Sequence, residues 1–262
     1  MLRAQGDLAG ARPYLERALA IREQVLGPTH PETAGSLNSL GALLRMQGDL
    51  ARARPYHDRA LAINEQVLGP THPDTALSLT NLGSLLHAQG DLDGARLYLE
   101  RALAINEQAL GPTHPETARS LNNMGVLLRT QGDLDGARPY YERALAIQEQ
   151  VRGPTHPDTT LSLTNLGALL QAQGDLDGAR PYLERALAIR EQVLGPTHPD
   201  TAISISWMAD LSRRDGNIES ARSYYERALA IFTARLGPQH PTTQIVQRNL
   251  AALDAPQEDN GA

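Results

Sequence analysis

From Pro73 to Gln89 the chain reads PDTALSLTNLGSLLHAQ, with Leu79, Leu82, Gly83 and Leu86 at i, i+3, i+4 and i+7. That spacing lines one face of a helix. The following stretch, DGARLYLERALAINEQAL, sets Ala95, Leu99, Ala102 and Leu103 on a second apolar stripe. Both patterns return every 42 residues, and the blocks Pro73–His114 and Pro157–His198 differ at only 6 of 42 positions. A period of this length marks stacked supersecondary units, none of which buries its apolar face alone. Each unit is therefore predicted to hold two helices of roughly 16 to 19 residues, joined by short loops.

The joints are written as regularly as the helices. GPTHP stands at Gly27, Gly69, Gly111, Gly153 and Gly195, with GPQHP at Gly237. QGDL stands at Gln5, Gln47, Gln89, Gln131 and Gln173, with DGNI in phase at Asp215. Gly69 suits the left-handed conformation that ends a helix, and Pro70 cannot continue it. Thr71 or His72 can cap the next helix, and Pro73 fits its first turn. Thr71 followed three residues later by Asp74 resembles a capping box. In QGDL, Gly90 closes the first helix and Asp91 caps the second. Six histidines one repeat apart form a row, and a row cannot bring three or four ligands within about 2.1 Å of one metal. They are expected to cap or pack. His57 takes a core slot held elsewhere by Leu15, Leu99, Tyr141, Leu183 and Tyr225, which points to a hydrogen-bonded core histidine. Pro55, Pro139 and Pro181 fall inside second helices and should bend them slightly.

Composition removes several chemistries. There are no cysteines, so disulfides, thiolate metal sites and thiol nucleophiles are excluded. All 24 positive residues are arginine, which excludes a phosphate-loop lysine or a Schiff base. A net charge of −6 argues against a general nucleic-acid binder. No apolar run reaches the roughly 18 residues of a membrane span, and no secretory leader opens the chain. A cytoplasmic location is expected. HExxH, GxSxG and GxGxxG are absent, so neither enzymatic activity nor a cofactor is expected.

LNNMG at Leu121–Gly125, QGDLDGA at Gln131–Ala137, YYERALAI at Tyr140–Ile147 and the GPTHP joints together resemble a tetratricopeptide repeat array of the 42-residue, kinesin-light-chain type. The resemblance implies an all-α, right-handed superhelix of antiparallel helix pairs. One solenoid is expected over residues 1–253. It comprises a half repeat, five full repeats from about Pro31, Pro73, Pro115, Pro157 and Pro199, and a capping helix at 241–253. Gln247 and Asp254 take slots where leucine is expected, which suits a polar cap. The end of the chain, 254–262, reads as disordered.

The resemblance further implies that first helices line a concave groove. Transferred unit by unit, one groove row is Asn38, Thr80, Asn122, Thr164 and Ser206. A second is Ser39, Asn81, Asn123, Asn165 and Trp207, with Ser84 beside it. Side-chain amides on these rows can pair with both N–H and C=O of an extended peptide. A third row reads Arg3, Arg45, His87, Arg129, Gln171 and Arg213, with Arg119, Arg214 and Arg248 nearby. Arginine forks match carboxylates, so this row suggests an acidic peptide or protein segment as the partner. The alternative is a structural, assembly or sensor segment of a larger signalling protein. Helix Leu8–Leu26 is expected to self-associate through Leu8, Leu15 and Leu19.

Overall fold

A computed structural model describes residues 8–254; Arg3, Gln5, Gly6 and Asp7 of the first QGDL copy and the segment from residue 255 lie outside the described residues. Among the described residues there are twelve helices and no strand. They are α1 Leu8–Val25, α2 Pro31–Met46, α3 Leu50–Val67, α4 Pro73–Gln89, α5 Leu92–Ala109, α6 Pro115–Thr130, α7 Leu134–Arg152, α8 Thr159–Gln173, α9 Leu176–Leu194, α10 Pro199–Arg214, α11 Ile218–Leu236 and α12 Pro241–Ala251. Even-numbered helices are the first of each repeat, and odd-numbered helices the second. Consecutive helices run antiparallel, as the 42-residue period predicts.

The chain divides into two compact units, Met1–Ile147 and Gln148–Ala262. In the first, α2 packs on α3, α3 on α4, α4 on α5 and α5 on α6. The first helices also touch directly, α2 with α4 and α4 with α6. In the second, α8 packs on α9, α9 on α10, α10 on α11 and α11 on α12. The layers bury the stripes predicted above, as where Leu79 and Ala102 pack together with Ala76 and Ile105. A fully buried leucine contributes about 1.5–3 kcal/mol, so the repeated stripe carries most of the stability. The small residue at its centre permits close approach. A Cβ on Gly83 would stand 2.7 Å from Leu99 Cγ.

The joints follow their expected roles, with two corrections. Histidine is the N-cap of α2, α4, α6, α10 and α12, and Nδ1 of His30, His72, His114, His156, His198 and His240 accepts from the backbone N–H two residues on. Thr71 and Asp74 form no capping box. Proline at the first helical position places the cap one residue after the threonine, and Thr75 Oγ1 instead donates to Gly69 O at 2.8 Å. The two glycine joints also differ. Gly90 adopts φ 84°, ψ 1°, the left-handed helical region. Gly195 combines φ 90° with ψ 161°, outside the left-handed helical region that Gly90 adopts. Helix α8 starts late, at Thr159, after a turn at Pro157 and Asp158.

At the C-terminal end, Gln247 and Asp254 are exposed as expected, and Asp254 pairs with Arg222. At α1 the expectation is corrected. Leu19 is buried and Leu15 packs with it against Leu37, Leu40 and their neighbours. Tyr14, Ile21, Val25 and Leu26 are the exposed apolar residues of that segment.

Candidate functional site

The first groove row turns inward. Asn38 is only 5% exposed: its Nδ2 donates to Ser78 Oγ at 2.9 Å and its Oδ1 accepts from His57 Nδ1 at 3.1 Å. Asn122 is buried in the same slot. Thr80 and Thr164 are buried, and each hydroxyl donates to the carbonyl four residues back, at 2.9 and 2.7 Å. Ser206 does the same with Ala202 O at 2.9 Å while half-buried. These polar groups find partners inside the helix layers, which makes their burial tolerable. They do not offer a peptide their side chains.

One residue on, the helix turns by about 100° and the second row meets solvent. Ser39, Asn81, Asn123, Asn165 and Trp207 are half-buried, as is Ser84. The Ser39 hydroxyl is committed to Gly35 O at 2.9 Å.

The third row differs between the units. In the first unit, Arg45, His87 and Arg129 stand half-buried in the last turns of α2, α4 and α6. His87 Nε2 lies 2.9 Å from Thr130 Oγ1, whose own proton goes to Val126 O at 2.9 Å. That network assigns the ring proton to Nε2 and leaves Nδ1 with a lone pair. Burial, followed by the charges of Arg45 and then Arg129, holds His87 below the ordinary imidazole value. The core histidine behind it, His57, falls to about 4, mainly through burial and secondarily through Arg45. Its Nε2 has no hydrogen-bond partner among the described residues. Tyr141 rises to about 12 because burial outweighs the opposing charge of Arg129.

In the second unit the row is interrupted. Gln171 is 2% exposed, its side-chain Nε2 donates to Trp207 O at 3.4 Å, and its backbone carbonyl accepts from Arg214 Nη1 at 2.9 Å. Both side chains are thereby occupied. Arg213 stands beside Tyr225, whose hydroxyl donates to Asp210. Burial and then Asp210 push that hydroxyl above the ordinary phenol value. A carboxylate therefore sits within the row. Arg119 pairs with Glu116, and Arg248 Nε reaches Gln244 O at 3.4 Å.

Two inter-repeat devices were not anticipated. Arg59, Arg101 and Arg143 in the first unit pair with Glu23, Glu65 and Glu107 at 2.6, 2.7 and 2.5 Å. Arg185 and Arg227 in the second pair with Glu149 and Glu191, both at 2.5 Å. A polar pair also joins α1 to α2, α3 to α4, α5 to α6 and α9 to α10, as in Asn106 Nδ2 to Ser120 Oγ at 2.9 Å. Its visible trace was a polar residue (Arg22, Asn64, Asn106, Gln148, Arg190) on an otherwise apolar stripe. Thr130, which positions His87, has no trace in the repeat, since its slot holds Met46, Ala88, Ala172 and Arg214 elsewhere.

Among the described residues, no three His, Cys, Asp or Glu side chains gather as a metal site would require. No described helix is long and apolar enough to cross a membrane.

Comparison with solved structures places the fold. BtubC (BKLC) from P. vanneervenii superposes with a TM-score of 0.69 at 24% identity, covering 91% of this chain and 94% of that one. The nearly identical TPR-like repeats of a Podosopora anserina protein assigned to kinesin light chain give 0.64 at 25%, covering 78% and 97%. PilW, a type IV pilus biogenesis factor, gives 0.58 at 19%, covering 84% and 85%, a likeness of fold alone. No curated protein matches the sequence. The tetratricopeptide repeat family model matches residues 1–66, 33–108, 95–150, 116–192, 158–206 and 204–260. With successive matches running the length of the sequence, this chain belongs to the tetratricopeptide repeat family.

Proposed function

We propose that this protein is an interaction scaffold whose first unit binds an extended acidic segment of a partner protein across α2, α4 and α6. One observation carries the reading. Three consecutive, mutually packed first helices present Arg45, His87 and Arg129 at the same position. Packed helices lie about 8–10 Å apart and an extended chain advances about 3.3 Å per residue. Acidic side chains roughly three residues apart in the ligand would therefore meet successive rows. Asn81 and Asn123, half-buried on the same helices, are placed to hold the ligand backbone through their amides. A cysteine-free chain with no membrane-crossing helix among its described residues suits such a role in the cytoplasm.

The test compares a fluorescein-labelled peptide bearing Glu at every third position with the same peptide bearing Gln. Fluorescence anisotropy should show binding of the Glu peptide that weakens as salt rises, since such contacts are screened over about 8 Å at physiological ionic strength. Equal binding of the two peptides, or none, would refute the reading.

A second reading, self-association through α1, is favoured by Tyr14. It is 69% exposed, whereas the equivalent Tyr56, Tyr98, Tyr140 and Tyr224 pack against apolar clusters. Size-exclusion chromatography with light scattering should then show a concentration-dependent dimer that Tyr14→Glu abolishes. A monomer at all concentrations would exclude it.

A further inference from the structure

We propose that the first-helix face of the second unit is a separate docking surface, one that takes an uncharged polyproline-type segment with an aliphatic side chain at every third residue. It uses none of the first-unit residues assigned to the acidic segment, and it holds or fails independently of that reading.

The surface is an apolar row. Leu161 on α8, Ile203 on α10 and Ile245 on α12 hold the same position in successive first helices, and they are 51%, 39% and 47% exposed. The fold does not require aliphatic residues there, since Gly35 and Arg119 fill the slot in α2 and α6. A run of exposed aliphatic side chains rimmed by polar ones marks an interaction surface. Trp207, the only tryptophan, stands half-buried one turn beyond Ile203 at i+4, on the same helix face. Its slot holds Ser39, Asn81, Asn123 and Asn165 elsewhere, so the aromatic ring is also no requirement of the repeat.

Shape and charge select the occupant. Apart from Trp207 the row is one residue wide, with exposed Asp158 and Asp200 on one side and half-buried Asn165 and Asn249 on the other. A helical ligand about 10 Å across would set its polar flanks and wide apolar stripe against both borders. Helices α8 and α10 touch directly, and packed helices lie about 8–10 Å apart. A β-strand repeats a face about every 6.6 Å, out of step with that spacing. A polyproline helix repeats a side about every 9 Å, in step with it, and its proline rings suit an aromatic platform such as Trp207. The nearby charges are engaged within the chain: Asp158 pairs with Arg152 at 3.6 Å, Asp210 accepts from Tyr225, and Arg214 donates to Gln171 O at 2.9 Å. What the face offers a ligand is apolar area, and an uncharged segment complements it.

The experiment uses a peptide of about twelve residues repeating Leu-Pro-Ser, and a counterpart with Ser at every Leu. Binding to the full chain is read from Trp207 emission with unlabelled peptide and from anisotropy with fluorescein-labelled peptide. The Leu peptide should give saturable changes in both, the Ser peptide neither. Binding should vary by less than about twofold as salt rises, since no ligand charge is involved. Ile203→Arg, which folds because Arg119 occupies the same slot, should weaken the Leu peptide by about tenfold or more through loss of one aliphatic contact. Equal binding of the two peptides, wild-type affinity in Ile203→Arg, or no binding in either readout overturns the proposal. Tighter binding of a helix-forming peptide with heptad-spaced Leu also overturns it, by assigning the face to a helix. Emission that shifts with protein concentration alone overturns it in favour of a second copy.

Discussion

The polar link between Asn106 and Ser120 offers a quantitative test of how the repeats are joined. Both residues are nearly inaccessible, and the amide donates to the hydroxyl at 2.9 Å across α5 and α6. Ser120→Ala removes the acceptor and strands a buried amide, at a cost of about 1–3 kcal/mol. Asn106→Leu removes the donor instead. The orphaned hydroxyl can then fall back on the carbonyl four residues earlier, as Ser78 already does with Asp74 O at 3.2 Å. That variant should lose only about 0–1 kcal/mol. The double variant replaces both partners with apolar groups and should resemble Asn106→Leu. The protein contains its own precedent, since Phe232 and Val246 occupy the equivalent slots and are both buried. A double-mutant cycle by urea unfolding, followed by circular dichroism at 222 nm, should return a coupling of about 1–2 kcal/mol. Strictly additive losses would refute the reasoning.

Stability should fall in acid through His57. Its folded value of about 4 lies below the unfolded value of about 6.5, so the unfolded chain takes up a proton that the folded chain refuses. The loss sets in as pH drops below about 6.5 and is complete below about 4, reaching at most about 3 kcal/mol. His57→Leu, matching Leu99 and Leu183, should flatten that slope in melts between pH 7 and pH 4; an unchanged slope would exclude His57 as its source. Removing one cap, His72→Ala, should cost about 1 kcal/mol and lower Tm by about 2–4 °C. His72→Asn, which keeps a side-chain acceptor, should recover most of it, and equal melts for the two variants would contradict the capping role.

The helices were legible because the 42-residue period repeats every signal, so ambiguity at one joint is resolved by the others. His72 as the cap was open only against Thr71, and the first-turn proline decided it. The face of the first helices was less legible. Asn38 and Asn123 are both asparagines on neighbouring rows, yet one is buried against His57 and Ser78 while the other meets solvent. Residue type cannot separate them, because a buried amide is tolerated wherever a partner stands within reach, and that partner comes from another repeat. The interruption of the basic row was hidden for the same reason. Gln171 is buried by contacts with Trp207 and Arg214, 36 and 43 residues away. Asp210, which sets a negative charge beside Arg213, gave no repeat signal at all, since its slot holds Ala42, Ser84, Val126 and Ala168 elsewhere.

The central claim is that the first-helix face of the first unit, rather than the chain's arginines at large, recognises acidic ligands. Its most direct test is the affinity of the Glu peptide for two charge reversals in that unit, Arg129→Glu on α6 and Arg54→Glu on the exposed face of α3. The account predicts that Arg129→Glu weakens binding by roughly tenfold or more, equivalent to about 1.4 kcal/mol, while Arg54→Glu leaves it within about twofold of wild type. Equal losses from the two reversals would contradict it.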